Sequence, residues 1–174
     1  MRDLAEKWPA APDWQAAVLS RGGVIVKTVS GLNQSLVSGD LAAWADFSGT
    51  DGEGAGVNDL VRGDRYALRV ARDRMLVVSE QPLTVAPGWH RQGFAVTNMD
   101  AALHVFDIAG PGMSGLLARA TTAAPDANSA SAALLFAGVS VCVYRFDDAQ
   151  HIRVHVDRGF APYLWEWLEQ SLAL

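Results

Sequence analysis

Cysteine is nearly absent from this sequence. Cys142 stands alone among 174 residues, so no intrachain disulfide and no multi-thiolate zinc site can form. It sits in the apolar run Val139-Ser140-Val141-Cys142-Val143-Tyr144, which predicts a buried, inert thiol. Basic clusters are missing as well. Lys and Arg number 14 against 19 Asp and Glu, a net charge of −5. That balance withholds the electrostatic footprint on which nucleic-acid binding depends. The longest apolar stretch, residues 132–144, is broken by Gly138 and Ser140 and falls short of the roughly 20 residues that cross a bilayer. The opening Met1-Arg2-Asp3-Leu4-Ala5-Glu6-Lys7 mixes both charge signs and lacks the apolar centre of a secretory signal. These absences predict a cytoplasmic protein.

What is present is the balance of an ordered globular chain, with 50% hydrophobic and 19% charged residues. The length suits one compact domain overall. Within it the sequence divides into an N-terminal segment, 1–20, a small α+β lobe, 21–80, and a second α+β lobe, 81–174, that ends in a helix.

Pro12 suits the first turn of a short helix over residues 12–19, ended by Arg21-Gly22-Gly23. The β-branched run Gly23-Val24-Ile25-Val26-Lys27-Thr28 predicts a strand, and residues 32–37 predict another. Asp40 is placed to cap a helix over residues 41–47. Residues 48–58, rich in Gly, Asp and Ser, predict a loop. Strands follow at 65–70 and 75–78 with Arg72-Asp73 as their turn, then an irregular, proline-bearing stretch over 81–92. Further strands are expected at 94–97 and 103–108, a helix from Met113 to Arg119, and a hairpin turning at Ala137-Gly138. Residues 152–156 alternate strictly, and a helix closes the chain over 162–174. Strands in adjacent pairs favour antiparallel or mixed sheets with helices on one face.

Several motifs invite a chemical reading. Gly110-Pro111-Gly112-Met113-Ser114-Gly115 has the G-x-G-x-x-G spacing of a dinucleotide site. The expected helix is short, and Asp126, the next acid, falls in a polar loop instead of at the end of a second strand. A tight strand-to-helix turn is the better reading. His151 and His155 would meet on a helix, but on a strand they lie about 13 Å apart, too far to share one zinc. The polar set His151, Arg153, His155 and Asp157 therefore reads as an open sheet face or a contact face for a partner. Asp51, Glu53 and Asp59 lack EF-hand spacing. Ser114 lacks a nucleophile-elbow setting, and His90 and His104 stand apart from any such serine. No catalytic, cofactor-binding or metal-binding residue is assigned. The last helix carries an apolar arc that includes Leu164, Trp165, Trp167, Leu168 and Leu172, broader than a narrow core-facing stripe. Aromatic residues favour interface centres, so Trp8, Trp14, Tyr163 and Trp165 are the expected partner-facing set.

The closing stretch Val154-His155-Val156-Asp157-Arg158-Gly159-Phe160-Ala161-Pro162-Tyr163-Leu164-Trp165-Glu166-Trp167-Leu168 resembles the C-terminal signature of the gamma subunit of heterotetrameric sarcosine oxidase. There a strand leads to Arg, then Phe-Ala, then a Tyr-Leu-Trp-Glu/Asp-Trp-Leu helix. Residues 104–117, a strand running through Gly110-Pro111 into a helix, and Gly31-Leu32-Asn33-Gln34-Ser35-Leu36-Val37-Ser38-Gly39-Asp40 with the later Arg74-Met75-Leu76-Val77-Val78 are similar to further elements of that family. The resemblance implies two small lobes in an aminomethyltransferase-like folate-binding fold, that of the glycine cleavage T protein. It implies a non-catalytic subunit of a complex that oxidatively demethylates sarcosine or a related methylated amine, bound to larger flavoprotein subunits. This chain would bind no cofactor, while FAD, FMN, NAD, zinc and tetrahydrofolate would belong to its partners. A stand-alone folate-binding or aminomethyltransferase-like one-carbon protein is the alternative, and a ligand-free homo-oligomer is a third.

Overall fold

The computed structural model describes residues 11–50, 52–122 and 129–174. Its first regular element corrects an expectation. Instead of a helix over 12–19, a short turn at residues 14–16 leads into strand β1 (Val18–Arg21), which pairs antiparallel with β2 (Val24–Val29). Gly22 and Gly23 have φ of 60° and 73°. Two consecutive residues at positive φ make the two-residue turn whose twist matches a hairpin, so the glycines join strands and do not end a helix.

Strand β3 (Asn33–Gly39) leads to α1 (Leu41–Ser48). As expected, Asp40 caps that helix: its carboxylate accepts the Ala43 N–H at 2.9 Å. Next come β4 (Leu60–Val61), β5 (Arg65–Ala71), β6 (Arg74–Ser79), β7 (Gly88–Trp89), β8 (Phe94–Asn98), β9 (Leu103–Ala109) and α2 (Met113–Ala120). The chain finishes with β10 (Ala133–Phe136), β11 (Val139–Phe146), β12 (His151–Asp157), a 3₁₀ turn (Arg158–Phe160) and α3 (Ala161–Ala173). The hairpin turns at Arg72-Asp73 and Ala137-Gly138 fall where the sequence places them.

Two sheets result. The first runs β1-β2-β9-β12-β11-β10, with the short β4 parallel to the end of β11; the second runs β5-β6-β3-β8-β7. All other pairings between named strands are antiparallel. Strand alternation sorts the side chains into three apolar layers. Val24, Val26, Phe106, Ile108, Val154 and Val156 meet Leu116 of α2 and Leu164 and Leu168 of α3 on the outer face of the first sheet. Val37, Met75, Val77 and Phe94 meet Leu41 and Trp44 of α1 on the outer face of the second. Between the sheets lie Leu68, Leu76, Val78, Tyr144 and Phe146. The architecture is thus α+β, two face-to-face sheets with helices covering the outer face of each. Both sheets draw strands from the 21–80 and the 81–174 segments. No helix among the described residues is long and apolar enough to cross a membrane.

Candidate functional site

His151, Arg153 and His155 on the polar face of β12 turn inward against the second sheet, which corrects the reading of that face as open, while Asp157 at the strand's end stays exposed. His155 is 1% exposed, held by two partners from different sheets: Gln34 Oε1 lies 2.6 Å from Nδ1, and the Tyr144 hydroxyl 2.8 Å from Nε2. The Tyr144 hydroxyl is in turn 2.7 Å from that of Tyr66, which accepts a hydrogen bond from Arg153 Nη1 at 3.0 Å. Arg153 Nε donates to Asp107 Oδ2 at 3.3 Å, and His151 Nε2 lies 2.7 Å from Asp107 Oδ1. The Arg153 guanidinium also sits 3.4 Å from the centre of the Phe146 ring, a cation–π contact.

Seven side chains therefore form one continuous path across the inter-sheet layer. Its direction follows from the donor inventory. The Gln34 carbonyl oxygen only accepts, so the neutral His155 ring carries its proton on Nδ1 and donates it there, and Nε2 accepts from the Tyr144 hydroxyl. With its proton so used, Tyr144 accepts from Tyr66, which accepts in turn from Arg153. Burial with a neutral hydrogen-bonded ring pushes the His155 pKa down to about 3, chiefly by desolvation and then by the Arg153 charge. Desolvation raises the pKa of Tyr66 and of Tyr144. Each member of the path has a neighbour on it, so the path stiffens the sandwich.

Two clefts open at its ends. Tyr66 lines the larger, about 690 Å³, between the C-terminal end of α1, the loop after it and the edge strand β5. Gln34 lines a smaller one, about 230 Å³, together with Trp14, Asp100, His104 and Arg158. The Asp100 carboxylate receives the Gln34 N–H at 2.5 Å. The His104 ring stacks obliquely on Trp14 at 4.6 Å. Desolvation, helped by Arg158, lowers its pKa to about 4, and its Nε2 is buried with no hydrogen-bond partner among the described residues.

The residues singled out by sequence fall in different places. Trp8 lies outside the described residues. Trp14 is half-buried against the first core, edge-on to Trp165 at 5.9 Å. Trp165 is 8% exposed, packed inside that core, so little of its ring remains for another chain. Tyr163 is 47% exposed, and its hydroxyl donates to the Ala137 carbonyl at 2.8 Å. Phe160, one turn before, is 52% exposed. Cys142 faces the inter-sheet layer, and burial pushes its pKa up to about 11, which keeps the thiol protonated and inert. Asp51 and Asp126 lie outside the described residues. His151 and His155 do not share a ligand, and among the described residues no cluster of His, Cys, Asp and Glu could hold a metal.

The glycine motif has a structural use. A Cβ on Gly110 would stand 2.2 Å from the Gly23 carbonyl oxygen, and one on Gly112 2.1 Å from that of Gly22. The Gly112 N–H donates to Gly23 O at 3.1 Å. The strand-to-helix turn thus docks backbone to backbone on the β1–β2 hairpin, in the space a pyrophosphate would need.

Among solved structures, the chain is similar to one in the heterotetrameric sarcosine oxidase from Corynebacterium sp. U-96 in complex with pyrrole 2-carboxylate. The TM-score is 0.64 at 17% identity, over 90% of this chain and 87% of that chain. The fold is shared with a sarcosine oxidase subunit. No protein-family model matches the chain, and no curated protein matches it significantly. Sequence reasoning missed the inter-sheet path because its seven members are scattered over β3, β5, β9, β11 and β12. The one signal was the His-x-Arg-x-His alternation of β12.

Proposed function

We propose that this chain is a non-catalytic, gamma-type subunit of a sarcosine-oxidase-like flavoprotein complex that oxidatively demethylates sarcosine or a related methylated amine. One observation carries the reading: the shared fold spans nearly all of both chains. The nearly equal shares make the matched chain close to this one in length, as a small subunit should be. The C-terminal Phe-Ala-Pro-Tyr-Leu-Trp-Glu-Trp-Leu stretch adds support independent of the fold. The internally satisfied polar path suits a scaffold that presents a surface. Tyr163 and Phe160, exposed beside the start of α3, are the aromatic residues best placed to meet a larger flavoprotein subunit. FAD, FMN, NAD and tetrahydrofolate belong to the partners in this proposal, and the complex works in the cytoplasm.

Affinity capture of the tagged full chain from its native extract tests this. The expected result is co-elution with a larger subunit that carries flavin absorbance. Recovery of the monomer alone under several buffer conditions overturns the subunit reading. Turnover of a methylated amine by the isolated chain overturns the non-catalytic part. Heat on titrating tetrahydrofolate into the isolated chain favours instead a stand-alone folate-binding protein.

A further inference from the structure

Helix α3 carries more apolar surface than its own core uses. Leu164, Trp165, Leu168 and Leu172 fill the first core. Beside that buried arc runs a second line. Phe160, Tyr163, Trp167, Gln170 and Leu174 are separated alternately by three and four residues, the spacing of the seam along which two helices pack side by side. Phe160, Tyr163 and Leu174 are exposed, and Trp167 is half-buried, edge-on to Phe136 at 5.8 Å. Gln170 is the polar member, and its amide donates to Glu166 Oε1 at 3.2 Å. At 1.5 Å per residue the seam is about 21 Å long, enough for roughly four turns of a facing helix.

The seam is shaped before anything meets it. The Tyr163 hydroxyl, bonded to the Ala137 carbonyl, holds its ring against the β10–β11 turn. Asp157 Oδ1 accepts the Gly159 N–H at 2.8 Å, and Arg158 Nη2 donates to the Asp100 carbonyl at 3.1 Å. Those two bonds fix the 3₁₀ turn that carries Phe160. Aromatic side chains held this way lower the ordering cost of binding. The charge on the helix has one sign. α3 contains Glu166 and Glu169 and no Lys or Arg, and both acids are exposed along the outer flank of the seam.

We infer that α3 docks an amphipathic helix of a different chain, one with an apolar stripe for Tyr163 and Trp167 and with Lys or Arg beside it for Glu166 and Glu169. Charges flanking such a seam set the choice of partner. A second copy of this chain is the wrong occupant. Antiparallel pairing would set Glu166 against its own counterpart, and each copy carries a net charge of −5. The identity of the docked chain rests on the subunit reading, which makes it the larger flavoprotein subunit.

The test is NMR titration of the isolated full chain with two three-heptad peptides. Both have Leu at the seam positions; one has Lys at the flanking positions and the other Glu. The expected result is shifts confined to residues around 160–174 and the 136–139 turn, with the Lys peptide bound about tenfold tighter or more. Glu166→Lys with Glu169→Lys should reverse that preference. Phe160→Ala with Tyr163→Ala should weaken the Lys peptide about tenfold. Equal affinity for the two peptides, shifts elsewhere, or no shifts up to about 1 mM peptide overturns the inference. So does sedimentation of the chain alone as a dimer that Phe160→Ala with Tyr163→Ala dissolves, since the occupant is then a second copy. Affinity capture separates the seam from the subunit reading. Recovery of the larger subunit unaffected by either double substitution overturns the seam and leaves the subunit reading standing. No recovery, with the peptide preference intact, supports the seam and overturns the subunit reading.

Discussion

Acidification should weaken this fold at one identifiable point. His155 is fully buried, and its pKa falls from 6.5 to about 3. The unfolded chain therefore binds a proton between those two values that the folded chain refuses. Stability rises with pH wherever the unfolded state holds more protons. The contribution from His155 is thus complete above about pH 6.5 and is lost as pH falls toward 3. Each unit of that fall costs about 1.4 kcal/mol, which sums to about 2.5 kcal/mol between pH 7 and pH 4.5. A proton on Nε2 would remove the acceptor that Tyr144 uses and would place a second cation in a desolvated layer that already holds the Arg153 charge. Urea unfolding of the wild-type chain and of His155→Gln, across pH 4.5 to 7.5, measures the effect. The glutamine can bridge Tyr144 and Gln34 but does not titrate. The wild type should lose about 2 kcal/mol more than the variant over that range, all other groups being common to both. Parallel pH profiles would refute the assignment of a buried neutral imidazole.

Tyr144→Phe removes the middle of the path and strands the acceptor on His155. It should lower stability by about 1–3 kcal/mol, read as a fall in the urea midpoint with an unchanged m-value. Gly110→Ala should cost about 2 kcal/mol or more by overpacking, because its Cβ meets Gly23 O at 2.2 Å at a φ of 128°; thermal unfolding would show it, and no nucleotide should restore the loss. Trp165→Ala should cost about 3–5 kcal/mol, as expected of a ring packed into the core. Tyr163→Ala should change stability by under about 1 kcal/mol yet weaken capture of a larger subunit. Native gels of the two variants separate core from interface.

How much of this was legible beforehand depends on the range over which each signal acts. The strand pairs 65–70 with 75–78 and 133–136 with 139–144 were readable because alternation and turn residues sit within a few positions of each other. The Asp40 cap was readable for the same reason. The first hairpin was not. Pro12 and the alanines around residue 16 carry helix propensity, but it lost to tertiary packing of Ala17 and Leu19 against the first core and to the paired positive φ of Gly22-Gly23. The alternation of β12 was read correctly as a strand and wrongly as a surface. Alternation states that two faces differ, not that the polar one meets water. The deciding partners, Gln34, Tyr66 and Tyr144, lie between 11 and 121 residues away from His155 and Arg153 along the chain. A polar residue is at home inside only when distant partners satisfy it, so its burial is a property of the assembled sandwich and of no local window. Resemblance in the last helix could point toward a family of assemblies because its aromatic spacing is local.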